Sequence, residues 1–172
     1  MSATILVDTS FLISLVDSKS RPHHSAAVQY YRWALEQRMP MFLSAIVAAE
    51  FAIKQPLTDL TLRHFRILPF NIPHAIRAAD LWRQLERDDG DSRAVVRDDL
   101  KLLAQADKES ISVILTEDAR TLHKYCERLR QQGVLRVRTT LLANGFDSSG
   151  LRDDGQRDWI HPSSRTSSES DD

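Results

Sequence analysis

The chain has 172 residues, of which 42% are hydrophobic and 27% charged, with a formal net charge of −1. This composition is typical of one globular domain with a substantial core. No apolar run approaches the ~20 residues of a membrane-spanning helix, and the N-terminus lacks the basic region and cleavage site of a secretory leader. Cys126 is the only cysteine, so an internal disulfide is excluded and a cytoplasmic location is predicted.

Short apolar runs alternate with amphipathic segments along the chain, which is typical of an α/β domain with a parallel sheet. We predict helices over 10–17, 24–38, 45–54, 74–88, 98–109 and 119–131, and a short helix within 55–66. The fourth helix has an apolar residue at every third position, which predicts one buried face. These residues are Ile76, Ala79, Trp82 and Leu85. The predicted strands are Ile5–Asp8, Met41–Leu43, Ile67–Phe70, Ser112–Leu115 and Leu135–Val137.

The chain changes character after Gly145. The remainder is rich in Ser, Asp, Gly and Arg, and its apolar side chains are few: Leu151, Trp159 and Ile160 are the main ones. Such a segment buries too little surface to offset its ordering entropy. We therefore predict a domain over residues 1–145 and a flexible, acidic, Ser-rich tail over 146–172, which leaves the body of the chain mildly basic.

Carboxylates stand at four places where an apolar strand ends or a predicted helix turns inward. A lone carboxylate among apolar side chains is costly to ionise without a partner or a cation. Four such positions, with one Cys and no His–Cys cluster, predict an all-oxygen site for a hard divalent cation and hence phosphodiester chemistry. They are Asp8, Glu50, Asp99 and the pair Glu117–Asp118, between which spacing does not choose.

Asp8 follows the first predicted strand, and Glu117–Asp118 follow the fourth. In open α/β sheets the ligand crevice lies outside the carboxyl ends of the strands, so these acids are placed to meet a ligand. Asp is equally suited to cap the helix that follows each strand. Spacing alone leaves the two interpretations open.

Glu50 lies within the apolar run AIVAAEFAI. Val47 and Ile53, three residues before and after it, share its helical face. This predicts that Glu50 is buried and that a partner compensates the charge of its carboxylate. The compensation is either the proposed cation or an ion pair with Arg120 or Lys124.

The doublet Asp98–Asp99 is resolved by helical phase. Asp99 shares a face with Leu103 and Ala106, whereas Asp98 shares a face with the polar residues Lys101 and Gln105. We therefore predict that Asp99 faces inward and that Asp98 faces solvent or caps the helix.

Taken in order, these segments resemble the PIN-domain ribonucleases, and most closely the VapC-like toxins of bacterial type II toxin–antitoxin pairs. ILVDTSFL resembles the family's opening strand and D-T-[SN], LSAIVAAEF its S-x-x-x-x-x-E-[LF] helix, and RDDLKLLAQA its D-x-x-[IL]-x-A-x-A, with Asp99 as the acid. LTEDARTL matches T-x-D, which selects Asp118 over Glu117. The resemblance runs from Ile5 to Val137. The chain departs from the family pattern at Leu103, usually a small residue, in a longer charged loop over 88–97, and in the tail.

The resemblance implies a three-layer α/β fold with a short central parallel sheet flanked by helices. It implies a metal-dependent endoribonuclease in which Asp8, Asp99 and Asp118 hold Mg²⁺ or Mn²⁺, and Glu50 completes the acidic pocket. Ser10 and Thr116 would orient these ligands. An RNA substrate, a homodimer and a cognate antitoxin are implied as partners.

Two other functions are possible for such a chain. One is a PIN module that binds RNA or a protein without cutting it. The other is a small-molecule phosphohydrolase, which would need a D-x-D nucleophile motif that D-T-S does not supply.

Several basic residues flank the acid motifs and are either phosphate contacts or ordinary surface charges. They are Arg93, Arg97, Lys101, Arg120 and Lys124.

Overall fold

The computed structural model describes residues 3–151 and contains a five-stranded sheet flanked by helices. The strands are β1 Ile5–Val7, β2 Met41–Ser44, β3 Arg66–Leu68, β4 Val113–Thr116 and β5 Arg138–Leu141. The helices are α1 Thr9–Val16, α2 His24–Glu36, α3 Ala45–Lys54, α4 Ile72–Gln84, α5 Arg93–Lys108 and α6 Leu122–Gln131. Short 3₁₀ turns occur at Leu57–Asp59, Leu62–His64, Leu142–Asn144 and Ser148–Leu151.

All neighbouring strands of the sheet are parallel, in the order β3-β2-β1-β4-β5. Val7, the last residue of β1, is in register with Leu43 of β2 on one side and Leu115 of β4 on the other. The chain leaves β1 for β2 and returns to the opposite side of β1 as β4, so the topological switch point lies between β1 and β4. Ligands of open α/β sheets bind at this point, beyond the carboxyl ends of the strands.

The sheet centre is buried on both faces, as a parallel sheet covered by helices requires. Ile5, Leu6 and Val7 of β1 are each 0% exposed, and the residues of β4 are also fully buried. This rigid centre supports the two strand ends at the switch point. The predicted α/β class with a parallel sheet is confirmed.

The predicted fifth strand, Leu135–Val137, is wrong by three residues, because pairing begins where Arg138 meets Val113. Leu135 and Val137 are buried, at 4% and 2% exposure, but lead into the strand. β5 lies at the edge of the sheet and its four residues are half-buried. The apolar run therefore marked the approach to the strand rather than the strand.

The predicted buried face of α4 is only partly correct, because Trp82 and Leu85 pack against the core but Ile76 and Ala79 are exposed. Ile76 is 59% exposed, whereas His74 and Leu81 are buried at 1% and 0%. His74 Nδ1 accepts the Asn71 backbone N–H at 3.1 Å, and its Nε2 lies 2.9 Å from Glu109 Oε1. A histidine with both ring nitrogens paired occupies a buried position that a count of apolar residues does not detect.

The described part of the predicted tail, residues 146–151, contacts the domain. The Phe146 ring packs edge-on against Tyr30 with centroids 4.9 Å apart, and Leu151 is 1% exposed. The rest of the predicted tail, with Trp159 and Ile160, lies outside the described residues, so its flexibility stays a prediction. Within residues 3–151 no helix is long and apolar enough to span a membrane.

Candidate active site

The four predicted acids, from four segments of the chain, line one cavity of about 390 Å³, and Asp98 lines it as a fifth carboxylate. Asp8 lies at the β1–α1 junction, Glu50 in α3, Asp99 in α5 and Asp118 just after β4. The cavity therefore opens at the carboxyl edge of the sheet, next to the β1–β4 switch point. The fold brings together acids that are up to 110 positions apart in the sequence.

Asp8 is held at the strand end by backbone and hydroxyl donors. Its carboxylate accepts the Thr9 N–H, the Ser10 hydroxyl and the Thr116 hydroxyl, each at 2.7 Å. Asp8 thus caps α1 and lines the cavity at once, so the two interpretations of this residue are compatible. Burial raises the pKa of Asp8, the hydrogen bonds from Ser10, Thr116 and Thr9 lower it in part, and the charge of Asp118 raises it further.

Ser10 and Thr116 join the ends of β1 and β4. Their hydroxyl oxygens are 3.2 Å apart, and both donate to Asp8 Oδ2. Ser10 Oγ also accepts the Glu117 N–H at 2.8 Å, and Thr116 Oγ1 accepts the Asp118 N–H at 2.9 Å. These two hydroxyls therefore fix the orientation of Asp8 and the backbone before Asp118 in a single network.

Glu50 is half-buried, and the Thr9 hydroxyl donates a hydrogen bond to its Oε2. The predicted buried face around it is only partly correct, because Val47 is 1% exposed but Ile53 is 85% exposed. Glu50 therefore lies at the border of the buried face of α3 and reaches the cavity from its side.

The alternative ion pair for Glu50 does not occur among residues 3–151. Lys124 instead contacts Asp88 at 2.9 Å and Asp91, and Arg120 is exposed. Glu50 is left with the Thr9 hydroxyl as its hydrogen-bond partner, and it shares the cavity wall with the other acids and with Arg21 and Lys54.

Asp99 is turned inward from α5, in agreement with helical phase. Its Oδ2 is buried without a hydrogen-bond partner in the described part of the chain. Burial raises the pKa of Asp99 to about 7, with smaller raising effects from the charges of Asp118, Asp8 and Glu50. Asp98 also lines the cavity, but its carboxylate contacts Lys101 at 2.7 Å. Asp99 is thus the carboxylate with unsatisfied acceptor capacity.

Asp118 combines a capping role with its place in the cavity. Its Oδ1 accepts the N–H groups of Arg120 at 2.8 Å and Thr121 at 2.9 Å, and its Oδ2 accepts the Thr121 hydroxyl at 2.6 Å. Burial raises the pKa of Asp118, but the hydrogen bonds from Thr121, Arg120 and Leu122 outweigh it and hold the pKa below its ordinary value. Asp118 is therefore an ionised carboxylate beside the protonatable Asp99.

Glu117 faces away from this site. Its Oε1 accepts a hydrogen bond from the Ser14 hydroxyl, and it does not line the cavity. Of the adjacent pair that spacing left open, the structure brings only Asp118 to the other three acids.

The donor set suits a hard divalent cation. Five carboxylates line the cavity, of which Asp98 contacts Lys101, and no sulfur ligand lines it. One carboxylate oxygen, Oδ2 of Asp99, is buried without a hydrogen-bond partner among residues 3–151. The acids are spread around the cavity wall, and no three His, Cys, Asp or Glu side chains of residues 3–151 converge as a ready-made ligand cluster. Asp8, Asp99 and Asp118 could hold a cation, whose charge would favour their ionised forms.

None of the five cations that flank the acid motifs lines the acidic cavity. Arg97 and Lys101 line a second, mainly apolar cavity of about 470 Å³ beside α4 and α5, and Arg93 lies over the Trp82 ring, 5.7 Å from its centroid. Sequence reasoning instead missed four residues of the site. The Thr9 and Thr121 hydroxyls bind site acids, and Arg21 and Lys54 line the acidic cavity.

A family model described as PIN domain matches residues 5–127. Three crystal structures share the fold. The VapBC2 complex of Rickettsia felis bound to promoter DNA has a TM-score of 0.51 and 12% identity, with 80% of this chain and 98% of that chain covered. DNA-bound VapBC of Salmonella typhimurium has a TM-score of 0.50 and 16% identity, with 81% of this chain and 98% of that chain covered. The sarcin–ricin loop cleaving toxin VapC20 of Mycobacterium tuberculosis has a TM-score of 0.50 and 18% identity, with 78% of this chain and 99% of that chain covered. No curated protein sequence matches the chain.

Proposed function

Because the chain belongs to the PIN-domain family, we propose that it is a divalent-metal-dependent endoribonuclease that hydrolyses phosphodiester bonds of RNA. The observation that carries the proposal is the convergence of Asp8, Glu50, Asp99 and Asp118 on one cavity. Burial and the charges of neighbouring acids disfavour ionisation of Asp8 and Asp99, since both pKa values are raised and that of Asp99 is about 7. A site with this energetic penalty is explained by a cation that offsets it.

In this proposal Asp8, Asp99 and Asp118 hold Mg²⁺ or Mn²⁺. The cation would lower the pKa of a bound water and stabilise the charge that develops on the phosphate oxygens. Ser10 and Thr116 keep Asp8 in one orientation through their 2.7 Å hydrogen bonds.

Glu50, fixed by the Thr9 hydroxyl, is proposed to orient the attacking water and to accept its proton. The water oxygen bonds to phosphorus as the bond to the leaving ribose oxygen breaks. The leaving oxygen takes up a proton from solvent, so that one product ends in a phosphate and the other in a hydroxyl.

The biological setting is proposed from the fold neighbours. Two of them are VapBC complexes bound to DNA, and a third is a toxin that cleaves the sarcin–ricin loop. By analogy with these, we infer a toxin of a toxin–antitoxin pair with an antitoxin partner. A homodimeric state is proposed from the sequence resemblance alone, and action in the cytoplasm from the single cysteine. Because the analogy rests on the fold alone, the toxin role needs a test separate from that of RNA cleavage.

The rival function is a PIN module that binds RNA or a protein without cutting it. A binder has no use for four carboxylates that repel one another and any polyanion. The small-molecule phosphohydrolase gains no support, since no D-x-D segment occurs at Asp8.

The purified protein is expected to cleave total RNA with Mg²⁺ or Mn²⁺, and EDTA should abolish cleavage. Gel electrophoresis of the products measures this. A matched control is Glu117→Gln, which removes a nearby carboxylate that does not line the cavity and should retain most of the activity. Cleavage that persists in EDTA, or its absence with either metal, would contradict the proposed chemistry.

A further inference from the structure

Two positive side chains lie on the wall of the acidic cavity. Arg21 belongs to the loop between α1 and α2, and Lys54 is the last residue of α3. The other charged groups that line this cavity are all carboxylates. A polyanionic substrate approaching these acids is repelled, so cations at the cavity wall are the groups that can bind its phosphates.

Both cations are available for such contacts. Arg21 and Lys54 are exposed, and neither forms an ion pair with any residue of 3–151. The charge of Arg21 reaches Asp17, but hydrogen bonds from Ser20 and Lys19 contribute more to lowering the pKa of that carboxyl. The nearby Lys101 is instead paired with an acid.

The local structure holds both residues near the acids. Lys54 follows Glu50 by four positions in α3, so the two lie on one helical face, about 6 Å apart at Cβ. The turn before Arg21 is ordered by Asp17, whose Oδ1 accepts the N–H groups of Lys19 and Ser20, each at 3.1 Å. The cations therefore reach the cavity from two separate structural elements.

We propose that Arg21 and Lys54 each bind a backbone phosphate of single-stranded RNA, and so align the strand across the carboxylates. The proposal rests on the proposed nuclease function and adds the residues that hold its substrate. Arg21 presents a planar fork of N–H donors that suits phosphate, whereas Lys54 contributes a point charge. Each contact forms with the substrate bound and persists during reaction, so its loss should raise KM and leave kcat nearly unchanged.

The test measures fluorescence anisotropy of a short, labelled single-stranded oligoribonucleotide in EDTA over a range of KCl concentrations. Arg21→Gln and Lys54→Gln should each weaken binding about tenfold at low salt. Each should also reduce the slope of log Kd against log salt by about 0.7, the value for one lost phosphate contact on a single strand. Arg21→Lys should restore the slope and part of the affinity.

Matched controls are Arg63→Gln and Lys108→Gln, which remove exposed cations that do not line the cavity. They should change the affinity less than twofold. If the Arg21 and Lys54 variants match these controls in binding and in KM with Mn²⁺, the proposal is overturned while a cleaving wild type keeps the nuclease function. If wild type binds but never cleaves and the slopes change as expected, the phosphate contacts stand and the nuclease function fails. A wild type that neither binds nor cleaves overturns both.

Discussion

Replacing Asp99 with Asn is expected to slow RNA cleavage in saturating Mn²⁺ by about a thousandfold, since a bound metal contributes several kcal/mol to stabilising the transition state. Asp99 has a buried oxygen without a partner among residues 3–151, and the amide of Asn is a far poorer ligand than a carboxylate. Initial rates of oligoribonucleotide cleavage measure the effect.

Asp98→Asn is the matched control for this loss. It makes the same chemical change one residue earlier, where the carboxylate is half-buried and contacts Lys101. It should retain most of the activity, because a partly exposed ion pair within one helix contributes little. An inactive Asp98→Asn together with an active Asp99→Asn would show that the assignment of the inward acid is wrong.

The same Asp99→Asn substitution is expected to stabilise the metal-free protein at pH 8. The pKa of Asp99 is about 7 in the folded protein and 3.8 for an ordinary Asp. At 1.36 kcal/mol per pH unit, the difference corresponds to roughly 4 kcal/mol against folding once the carboxyl is ionised. A buried, unpaired amide costs about 1–3 kcal/mol in return. A net rise in melting temperature of about 5 °C in EDTA is expected.

The raised pKa of Asp99 also predicts how the free energy of unfolding depends on pH in EDTA. The folded protein keeps the Asp99 proton up to about pH 7, whereas the unfolded chain loses it near pH 4. The folded state therefore binds more protons in this window, and the free energy of unfolding falls as pH rises through it. Asp99→Asn should show a smaller fall than wild type in EDTA, measured by urea unfolding at several pH values. If the free energy of unfolding fell equally with pH in wild type and Asp99→Asn, the raised pKa of Asp99 would be contradicted.

Much of the site follows from short-range patterns in the sequence. The bounds of α3 agree with the prediction, because an apolar run follows Ser44, whose hydroxyl accepts the Ile46 N–H at 3.1 Å and caps the helix. Phase within α5 gave the orientation of Asp98 and Asp99 near the start of the helix. It was wrong for Gln105, which shares the face of Asp98 but is 0% exposed, because the helix is buried on all sides over residues 102–106. The resemblance, rather than spacing, selected Asp118 over Glu117.

Other features depend on contacts that the local sequence does not encode. Ile53 and Ile76 look like core residues by periodicity, yet both are exposed, since the packing of α3 and α4 decides which apolar face is covered. The capping bonds of Asp118 depend on the turn that precedes α6. Arg21 and Lys54 are ordinary surface cations until the fold brings them to the acids.

The most direct test of the account is thermal melting of wild type, Asp99→Asn and Asp98→Asn, each in EDTA and in saturating Mn²⁺. A cation that binds only the folded state adds about 2.7 kcal/mol at a hundredfold excess over Kd, which corresponds to a rise of about 5–10 °C. Wild type and Asp98→Asn should show this rise and Asp99→Asn should lose most of it. A wild type that does not respond to Mn²⁺, or an Asp99→Asn that responds equally, would contradict the claim that these carboxylates form a metal site.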